Sequence, residues 1–294
     1  MKTNITQRWR YGRHSWRRKS EGGFDSDRYT VEPIDQRPAL EFVVAHHYSH
    51  SWCNDQLRYG LFEHREVWED GASAPRDVAH LVGVIVLGVP IRREVLTNPL
   101  PGLVPYVESR ELSKLVLLDE VPANAETWAV TQAFNHAAEE HHLRGVVAFS
   151  DPNPQLLHHP DGTTTVAMPG HLGIVYQALN AAYCKTTKAD RFIHLPDGTM
   201  MHPRALAKIR NGEQGRWGVV ARLVDLGAQP PDGEPDTAWL TAELARLGAT
   251  TEQHEGKHRY VFRVGPDRDR VTIGMPTAPY PKRVIPQPAQ LVLA

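Results

Sequence analysis

The sequence predicts an α/β protein with a mixed central sheet and helices on both faces. Short apolar runs typical of buried strands alternate with segments whose apolar residues recur at helical spacing. From about residue 28 to residue 183, the elements follow the order β-α-β-β-β-α-β-α. With 41% hydrophobic residues, the 294-residue chain can also build a large core. Helices separate some strands and short loops join others, which is typical of a mixed sheet.

The first half of the predicted sheet is antiparallel. Residues 28–34 are expected to form its first strand, and residues 38–50 a short helix with a proline in its first turn. Residues 58–64 and 80–89 are predicted as two antiparallel strands, because a polar loop rich in Asp, Gly and Pro joins them.

The second half is expected to surround one central strand, residues 106–118. Asn124 is placed to cap a helix over residues 125–142. Residues 145–150 are a short apolar run that predicts a buried strand, and residues 171–183 predict an apolar helix.

The signals weaken beyond residue 190, where a mainly helical extension is predicted. Its elements are three helices, at residues 202–210, 217–226 and 236–247, and a strand at residues 258–264. We therefore predict a flexible basic arm over residues 1–27, one large domain over residues 28–265 with its helical extension from about residue 190, and a Pro-rich tail over residues 266–294.

Charge is balanced overall but concentrated at the N-terminus. The formal net charge is -1, yet the first 20 residues contain seven Lys or Arg and no acidic residue. Arg10, Arg17 and Arg18 lie among aromatic residues, a mixture suited to phosphates and stacked bases. With Lys208 and Arg210 of a predicted basic helix, they are candidate contacts to DNA. The alternative is a solvated tail without a partner.

Composition also predicts the cellular compartment. Cys53 and Cys184 are too few for a disulfide framework and suit a reducing environment. The sequence has no apolar run of about 18 residues, the length that a membrane span requires. Its N-terminus also lacks the apolar stretch of a signal peptide. We therefore expect a cytoplasmic protein with no membrane partner.

Residues 46–50 (HHYSH) are the first candidate site. If they are helical, His47 and His50 share a face and could hold iron or zinc. Tyr48 could instead transfer a proton or stack on a base. A His pair is more often structural, and that alternative stays open. The HExxH pattern is absent, which excludes a metalloprotease site of that kind.

The predicted central strand carries many polar residues. Strict alternation places Arg110, Leu112 and Lys114 on one face. Burying so many polar groups without partners is costly, so they are expected to line a cleft. The alternative is an edge strand with one wet face.

Further candidates follow the predicted strands. Asn124 and Thr127 lie at a helix start, where free N–H groups can bind phosphate. Asp151 lies at the carboxyl end of a strand, where open α/β sheets bind ligands. It is placed to act as a general base, or else only forms a turn before Pro152. Tyr176 is either a core aromatic residue or a general acid.

Four segments together resemble the Mom-like phage DNA-modification proteins, which are similar to the GNAT acyltransferase fold. These segments are residues 110–115 (RELSKL), 124–127 (NAET), 149–151 (FSD) and 170–178 (GHLGIVYQA). The resemblance covers about residues 40 to 225 and depends on the order and spacing of the segments.

The resemblance implies a GNAT-like mixed sheet and a transferase that modifies the exocyclic N6 amine of adenine in DNA. The group is of the carbamoylmethyl type, and the modification protects phage DNA from restriction enzymes. Implied functional positions are Tyr48, Lys114, Thr127, Asp151 and Tyr176. Lys114 stands where an Arg is usual, which keeps the charge but loses bidentate geometry.

The resemblance leaves the group donor open. Acetyl-CoA or a related acyl donor would be held by Lys114, Asn124 and Thr127. The GNAT pyrophosphate loop, with its [RQ]xxGx[GA] pattern, is absent after Leu118. Two alternatives remain: an acetyl-CoA-dependent N-acetyltransferase acting on a small amine or protein, and a DNA-binding protein without catalysis.

Overall fold

The structure is a computed structural model. It describes residues 24–70, 73–122, 124–158, 163–168, 170–195, 200–201 and 203–282, and the backbone of two strands at 5–10 and 13–18. The strands are β1 Ile5–Arg10, β2 Arg13–Arg18, β3 Tyr29–Pro33, β4 Asp55–Val67, β5 Arg76–Gly88, β6 Ser109–Leu117, β7 Gly145–Ser150, β8 Gln155–His158, β9 Thr164–Met168, β10 Ala182–Thr186, β11 Asp190–His194, β12 Met200–Met201, β13 Thr250–His254 and β14 His258–Arg263. The helices are α1 Gln36–His46, α2 Glu94–Thr97, α3 Ala125–His141, α4 Ile174–Ala178, α5 Pro203–Arg210, α6 Arg216–Asp225 and α7 Thr237–Arg246.

A seven-stranded sheet organises the first compact unit, which comprises residues 1–151, 171–185 and 258–294. Its strand order is β10-β14-β7-β6-β5-β4-β3. Strands β3 to β6 pair antiparallel, β6 pairs parallel with β7, and β7 pairs antiparallel with β14. The central pair of parallel strands therefore has both carboxyl ends at the same edge of the sheet.

Helices cover both faces of this sheet. On one face, α3 and α4 pack over a core that includes Tyr59, Leu112 and Phe262. On the other face, α1 packs on Val86 and Val116, while the short α2 covers β7 near its start. The predicted mixed α/β class with helices on both faces is confirmed.

Helix α3 shows why the sequence folds in this way. Its buried residues recur at helical spacing, and most are alanines: Ala125, Ala129, Val130, Ala133, Phe134 and Ala137. Small side chains let the helix backbone lie close to the sheet, and the apolar stripe supplies the burial that stabilises the helix.

A β-bulge interrupts the central strand. Leu112 pairs with Leu87 and Lys114 with Val86, so Ser113 is an extra residue between them. Pairing of β6 with β7 also stops at Leu112, although both strands continue. Because a bulge bends its strand, the two parallel strands diverge from this point toward their carboxyl ends.

The second compact unit comprises residues 152–170 and 186–257. It contains the hairpin of β8 and β9 and a three-stranded sheet in the order β12-β11-β13. Helices α5, α6 and α7 share an apolar core, in which Leu206, Leu223 and Leu240 are fully buried. The short strands of this unit were not predicted from the sequence.

The end of helix α1 corrects a prediction. The helix was expected to reach His50, but it ends at His46, and His47 has extended backbone angles. The reason is local: the His47 ring accepts a hydrogen bond from the Ser49 backbone N–H, at 3.1 Å. Such side-chain bonds compete with helical ones, so residues 47–50 form a turn.

The predicted helix over residues 171–183 is also corrected. Only Ile174–Ala178 is helical, and Tyr183 lies in strand β10. Gly173 has φ +65 and Asn180 has φ 58, in the left-handed region, and these residues lie on either side of the helix. A residue in that region does not continue a right-handed helix.

The N-terminal segment was predicted to be a flexible arm, but its described residues form two strands. Residues of β1 and β2 pair antiparallel, with Arg10 opposite Arg13 and Thr6 opposite Arg17.

The predicted Pro-rich tail is described only to residue 282. The structure groups the chain into the two units above, whereas we predicted one domain over residues 28–265, and the limits of independently folding domains stay a prediction.

None of the helices in the described part of the chain has the length and apolar character needed to cross a membrane.

Candidate active site

The turn after α1 holds a hydrogen-bonded chain of polar groups. Lys114 Nζ donates to Ser49 Oγ at 2.7 Å, and Ser49 Oγ lies 2.9 Å from His47 Nδ1. Because the His47 ring nitrogen also accepts the Ser49 N–H, the neutral ring carries its proton on Nε2. A residue of strand β6 is thereby joined to the end of helix α1.

The His47 ring is neutral at physiological pH. Burial, followed by the charges of Lys114, His171 and His50, lowers its pKa to about 3. The ring stacks on Tyr48, with centroids 4.2 Å apart and planes at 29°. Neutral stacking therefore fixes the position of the Tyr48 ring.

Tyr48 lies within electrostatic range of Asp151. Burial raises the pKa of Tyr48, and the Asp151 carboxylate raises it further. The Tyr48 side chain is still 36% exposed. A tyrosine that is protonated, accessible and close to a carboxylate is suited to donate a proton.

Asp151 follows the last residue of β7 and is only 8% exposed. Its backbone carbonyl accepts the His171 N–H at 2.7 Å, which holds the segment before α4 against the strand end. The predicted placement at the carboxyl end of a strand is therefore present, where β6 and β7 have diverged.

Tyr176 lies in the hydrophobic core beneath this edge. Its ring packs on Tyr260 and Phe262, with centroids 5.4 and 5.9 Å away. Burial raises its pKa, and Tyr48, Tyr260 and Glu111 raise it further. A Cβ on Gly173 would lie 2.9 Å from the Tyr176 ring, so the glycine permits this close packing. Both predicted alternatives for Tyr176, core residue and proton donor, fit this environment.

The bulge determines which face of the sheet the Lys114 side chain occupies. Arg110 and Leu112 face the α3 side, but Lys114 pairs with Val86 and faces the α1 side. The prediction that all three share a face is wrong, because strict alternation fails where one residue is extra. On the α1 side, Lys114 also lies near Cys53, whose pKa rises to about 11 through burial.

Asn124 and Thr127 lie at the start of α3, at the same edge of the sheet as Asp151. Asn124 has left-handed angles and makes no side-chain capping bond, so its predicted capping role is wrong. Instead, Thr127 Oγ1 donates to the Asn124 carbonyl at 2.9 Å. The role of both residues in holding a donor stays a prediction.

The histidines do not form a metal site within the described residues. No group of three or more His, Cys, Asp or Glu side chains there is arranged to hold a metal. His50 Nδ1 donates to the Val44 carbonyl at 2.9 Å, and His47 Nδ1 is used by Ser49. The helical spacing that suggested His47 and His50 as ligands is absent, because this segment is a turn.

Sequence reasoning missed His258, which lies beside Asp151, and Tyr183, which contacts His258. His258 opens strand β14 and pairs with Ser150, the residue before Asp151. Its Nδ1 lies 3.0 Å from Tyr183 Oη. No periodic pattern could have identified them, because only the strand order β10-β14-β7 brings them to this edge.

The predicted DNA contacts fall in separate regions. Arg10, Arg17 and Arg18 lie in β1 and β2, and their side chains are outside the described part of the structure. Lys208 and Arg210 lie on α5 in the second unit. Arg210 and Arg191 line a pocket of about 410 Å³, with Ile193 and Leu206 among its apolar walls.

The fold and the site together define a mixed α/β protein with a polar cluster where two parallel strands diverge. The model of the Mom protein family matches residues 28–282. This chain therefore belongs to the Mom protein family, and the predicted family is confirmed. Comparison with curated proteins finds no match.

Three solved structures show how distant the structural likeness is. A GNAT acetyltransferase from Elizabethkingia anophelis, with acetyl-CoA bound, is 8% identical at a TM-score of 0.31, over 81% of this chain and 99% of that one. A tandem GNAT protein from the clavulanic acid biosynthesis pathway has the same identity and coverages at 0.38. Spermidine/spermine N-acetyltransferase SpeG from Vibrio cholerae is 9% identical at 0.27, over 48% and 89%. Likenesses at this level carry no argument about this chain.

Proposed function

We propose that the protein is a transferase that attaches a small group to the exocyclic N6 amine of adenine in DNA. The observation that carries the proposal is the cluster of Tyr48, Lys114, Asp151 and Tyr176 at one edge of the sheet. The Mom family membership supports DNA as the substrate, as the resemblance implied, and a carbamoylmethyl-type group that protects DNA from restriction.

Asp151 is the proposed general base. The adenine nitrogen forms a bond to the transferred group while the bond between that group and its donor breaks. The amine proton passes to the carboxylate of Asp151, the residue that directly follows strand β7. General-base catalysis of this kind requires a carboxylate within hydrogen-bond reach of the amine.

Tyr48 is the proposed proton donor to the departing fragment. Burial and Asp151 raise its pKa, so its hydroxyl stays protonated at neutral pH. Tyr176 is the second candidate, but it lies deeper in the core at 7% exposure. In the proposed mechanism it supports the floor of the site and can donate only to a group that reaches the core.

Lys114 is the proposed electrostatic anchor for the donor, with Asn124 and Thr127 at the start of α3. Acetyl-CoA or a related acyl donor would fit this set, because an ammonium group and free helix N–H groups suit an anionic ligand. The donor would supply the transferred group. The bulge at Ser113 directs Lys114 toward the α1 side, whereas α3 packs on the other face, so a donor held by all three residues would cross the carboxyl edge of the sheet.

DNA is the proposed partner. An amine paired inside a duplex is out of reach, so the enzyme would flip the base or act on single strands. Tyr48, stacked on a neutral histidine, can stack in turn on an extruded base. Arg10, Arg17, Arg18, Lys208 and Arg210 are the proposed contacts to the backbone phosphates. A protein acting on DNA in this way would work in the cytoplasm of a bacterial host.

The test compares Asp151→Ala with the wild type and with Asp77→Ala, an exposed carboxylate on β5. DNA from cells expressing each protein is hydrolysed to nucleosides, and altered adenine is measured by mass spectrometry. We expect Asp151→Ala to lower modification about 10²- to 10⁴-fold, while Asp77→Ala retains it.

Undiminished modification in Asp151→Ala would exclude Asp151 as the base. If wild-type cells contain no altered adenine, the DNA-modifying function is wrong. Calorimetry with acetyl-CoA and with DNA then separates the alternatives. Heat with acetyl-CoA supports an N-acetyltransferase for small amines or proteins, and heat with DNA alone supports a non-catalytic DNA-binding protein.

A further inference from the structure

We propose that His258, held by Tyr183, is a positioning residue that orients the carboxylate of Asp151. The inference rests on the proposed function, because it assigns a role within the same site. Its basis is the placement of His258, the contacts that immobilise its ring, and the charge beside it.

Strand pairing places His258 next to Asp151. Strand β14 runs antiparallel to β7, and His258 is directly opposite Ser150 in their register. Asp151 follows Ser150 immediately. The imidazole and the carboxylate therefore lie at the same end of two neighbouring strands, and the charge of the Asp151 carboxylate acts to raise the pKa of His258.

Tyr183 contacts the His258 ring through both its hydroxyl and its own ring. Its hydroxyl lies 3.0 Å from His258 Nδ1, and the two rings meet edge to face with centroids 5.5 Å apart. Tyr183 is itself fixed: it is 8% exposed, and its ring lies 5.4 Å from that of Tyr260. Its backbone carbonyl also accepts the Ala278 N–H at 2.9 Å.

The charge state of His258 suits a positioning role. Burial lowers its pKa, and the Asp151 carboxylate opposes that shift. The pKa remains below its ordinary value, so the ring is neutral at pH 7 and carries one proton. When Tyr183 donates to Nδ1, that proton lies on Nε2 and is available to the carboxylate. A carboxylate held in this way presents its other oxygen to the substrate amine.

The kinetic test uses three variants of the full chain. His258→Leu removes the ring N–H, Tyr183→Phe removes the hydroxyl that holds the ring, and His258→Gln retains an N–H near the position of Nε2. We expect the first two to lower the rate at saturating DNA about tenfold, less than loss of the base itself, with KM for DNA unchanged. His258→Gln should recover most of the rate.

A second measurement needs no activity. The pKa of His258 is followed by NMR in the wild type and in Asp151→Asn, with the signal assigned by its loss in His258→Gln. Because the carboxylate raises this pKa, Asp151→Asn should lower it further. This result is expected whether or not the protein modifies DNA.

The outcomes separate the two claims. An unchanged His258 pKa in Asp151→Asn, or full activity in His258→Leu, overturns the positioning role. An equal loss in His258→Gln and His258→Leu also overturns it, because the N–H would then be irrelevant. Wild-type protein that modifies no adenine but shows the NMR shift refutes the proposed function while leaving the pairing of His258 with Asp151 intact. If His258→Leu does not fold, the Gln variant and the NMR titration still decide.

Discussion

Strand β6 carries two cations, Arg110 and Lys114, which lie on opposite faces of the sheet in different environments. Arg110 is 7% exposed on the α3 face, and its one side-chain hydrogen bond among the described residues goes to its neighbour's carbonyl, Ser109 O, at 3.2 Å. Its Nε makes no hydrogen bond there, and the hydroxyl of buried Tyr59 nearby is likewise unbonded. Lys114 lies on the α1 face and reaches the exposed turn after α1.

The difference comes from the single extra residue between them. Without a bulge, Arg110, Leu112 and Lys114 would point the same way, and both cations would be buried under α3. The bulge at Ser113 moves Lys114 to the other face and ends the pairing of β6 with β7. One extra residue therefore leaves Arg110 buried on the α3 face and places Lys114 in the polar cluster after α1.

Among the tests of this comparison, removing the charge of Lys114 should give the largest effect. Lys114→Met keeps a long side chain but removes the proposed anchor for the donor, and we expect kcat to fall about 10²- to 10³-fold, as for loss of one electrostatic donor. Altered adenine from purified DNA and protein is measured by mass spectrometry. Lys114→Arg keeps the charge and should remain active. A fully active Lys114→Met would mean that the α1 face is not the working face.

Deleting Ser113 tests the bulge itself. The remaining residues of β6 keep their partners on β5, because the bulge is the only extra position in that pairing. The fold should therefore survive, but the strand straightens toward β7 and the site geometry changes. We expect modification to fall about 10²-fold, the scale of a displacement near 1 Å. Ser113→Ala keeps the bulge and should retain activity.

Circular dichroism must show that the deletion variant is folded before its activity is compared. If it is folded and fully active, divergence of the two parallel strands is irrelevant to the reaction.

Arg110→Met should have the smallest effect, and it should stabilise the protein, whereas most substitutions of buried residues destabilise it. Burial lowers the pKa of Arg110, which reflects the cost of desolvating its guanidinium. Replacing it by an apolar side chain of similar length removes unsatisfied buried N–H groups, so we expect the free energy of unfolding to rise by about 1–3 kcal/mol. Urea titration measures this, and activity should not change.

Arg144→Met is the matched control, because Arg144 does have an acidic partner. Its Nη1 lies 3.0 Å from Glu108 Oε1, and its side chain is 34% exposed. Its loss should lower the free energy of unfolding by up to about 1 kcal/mol. If Arg110→Met destabilises the protein as Arg144→Met does, then Arg110 has a stabilising role that its contacts do not explain.

Local patterns predicted much of the fold. Strand β7 was predicted at residues 145–150, where it is found, and α6 and α7 were predicted within one residue at each end. These segments have apolar periodicity and clear boundary residues, such as Asp236, which accepts the Trp239 N–H at the start of α7. The predictions failed at the end of α1 and in the length of α4. There, a side-chain bond and left-handed residues outweighed the helical pattern.

The amino-acid order alone determined the class of fold, the family and several polar residues of the candidate site, because apolar periodicity and short motifs act over neighbouring residues. Only the tertiary structure decided which face Lys114 occupies, where α1 stops, that His258 lies beside Asp151 and that Tyr183 contacts His258. The physical reason is that a bulge is defined by the partner strand, and that strand pairing joins residues as distant in the chain as Ser150 and His258. Neither segment shows this pairing in its own sequence.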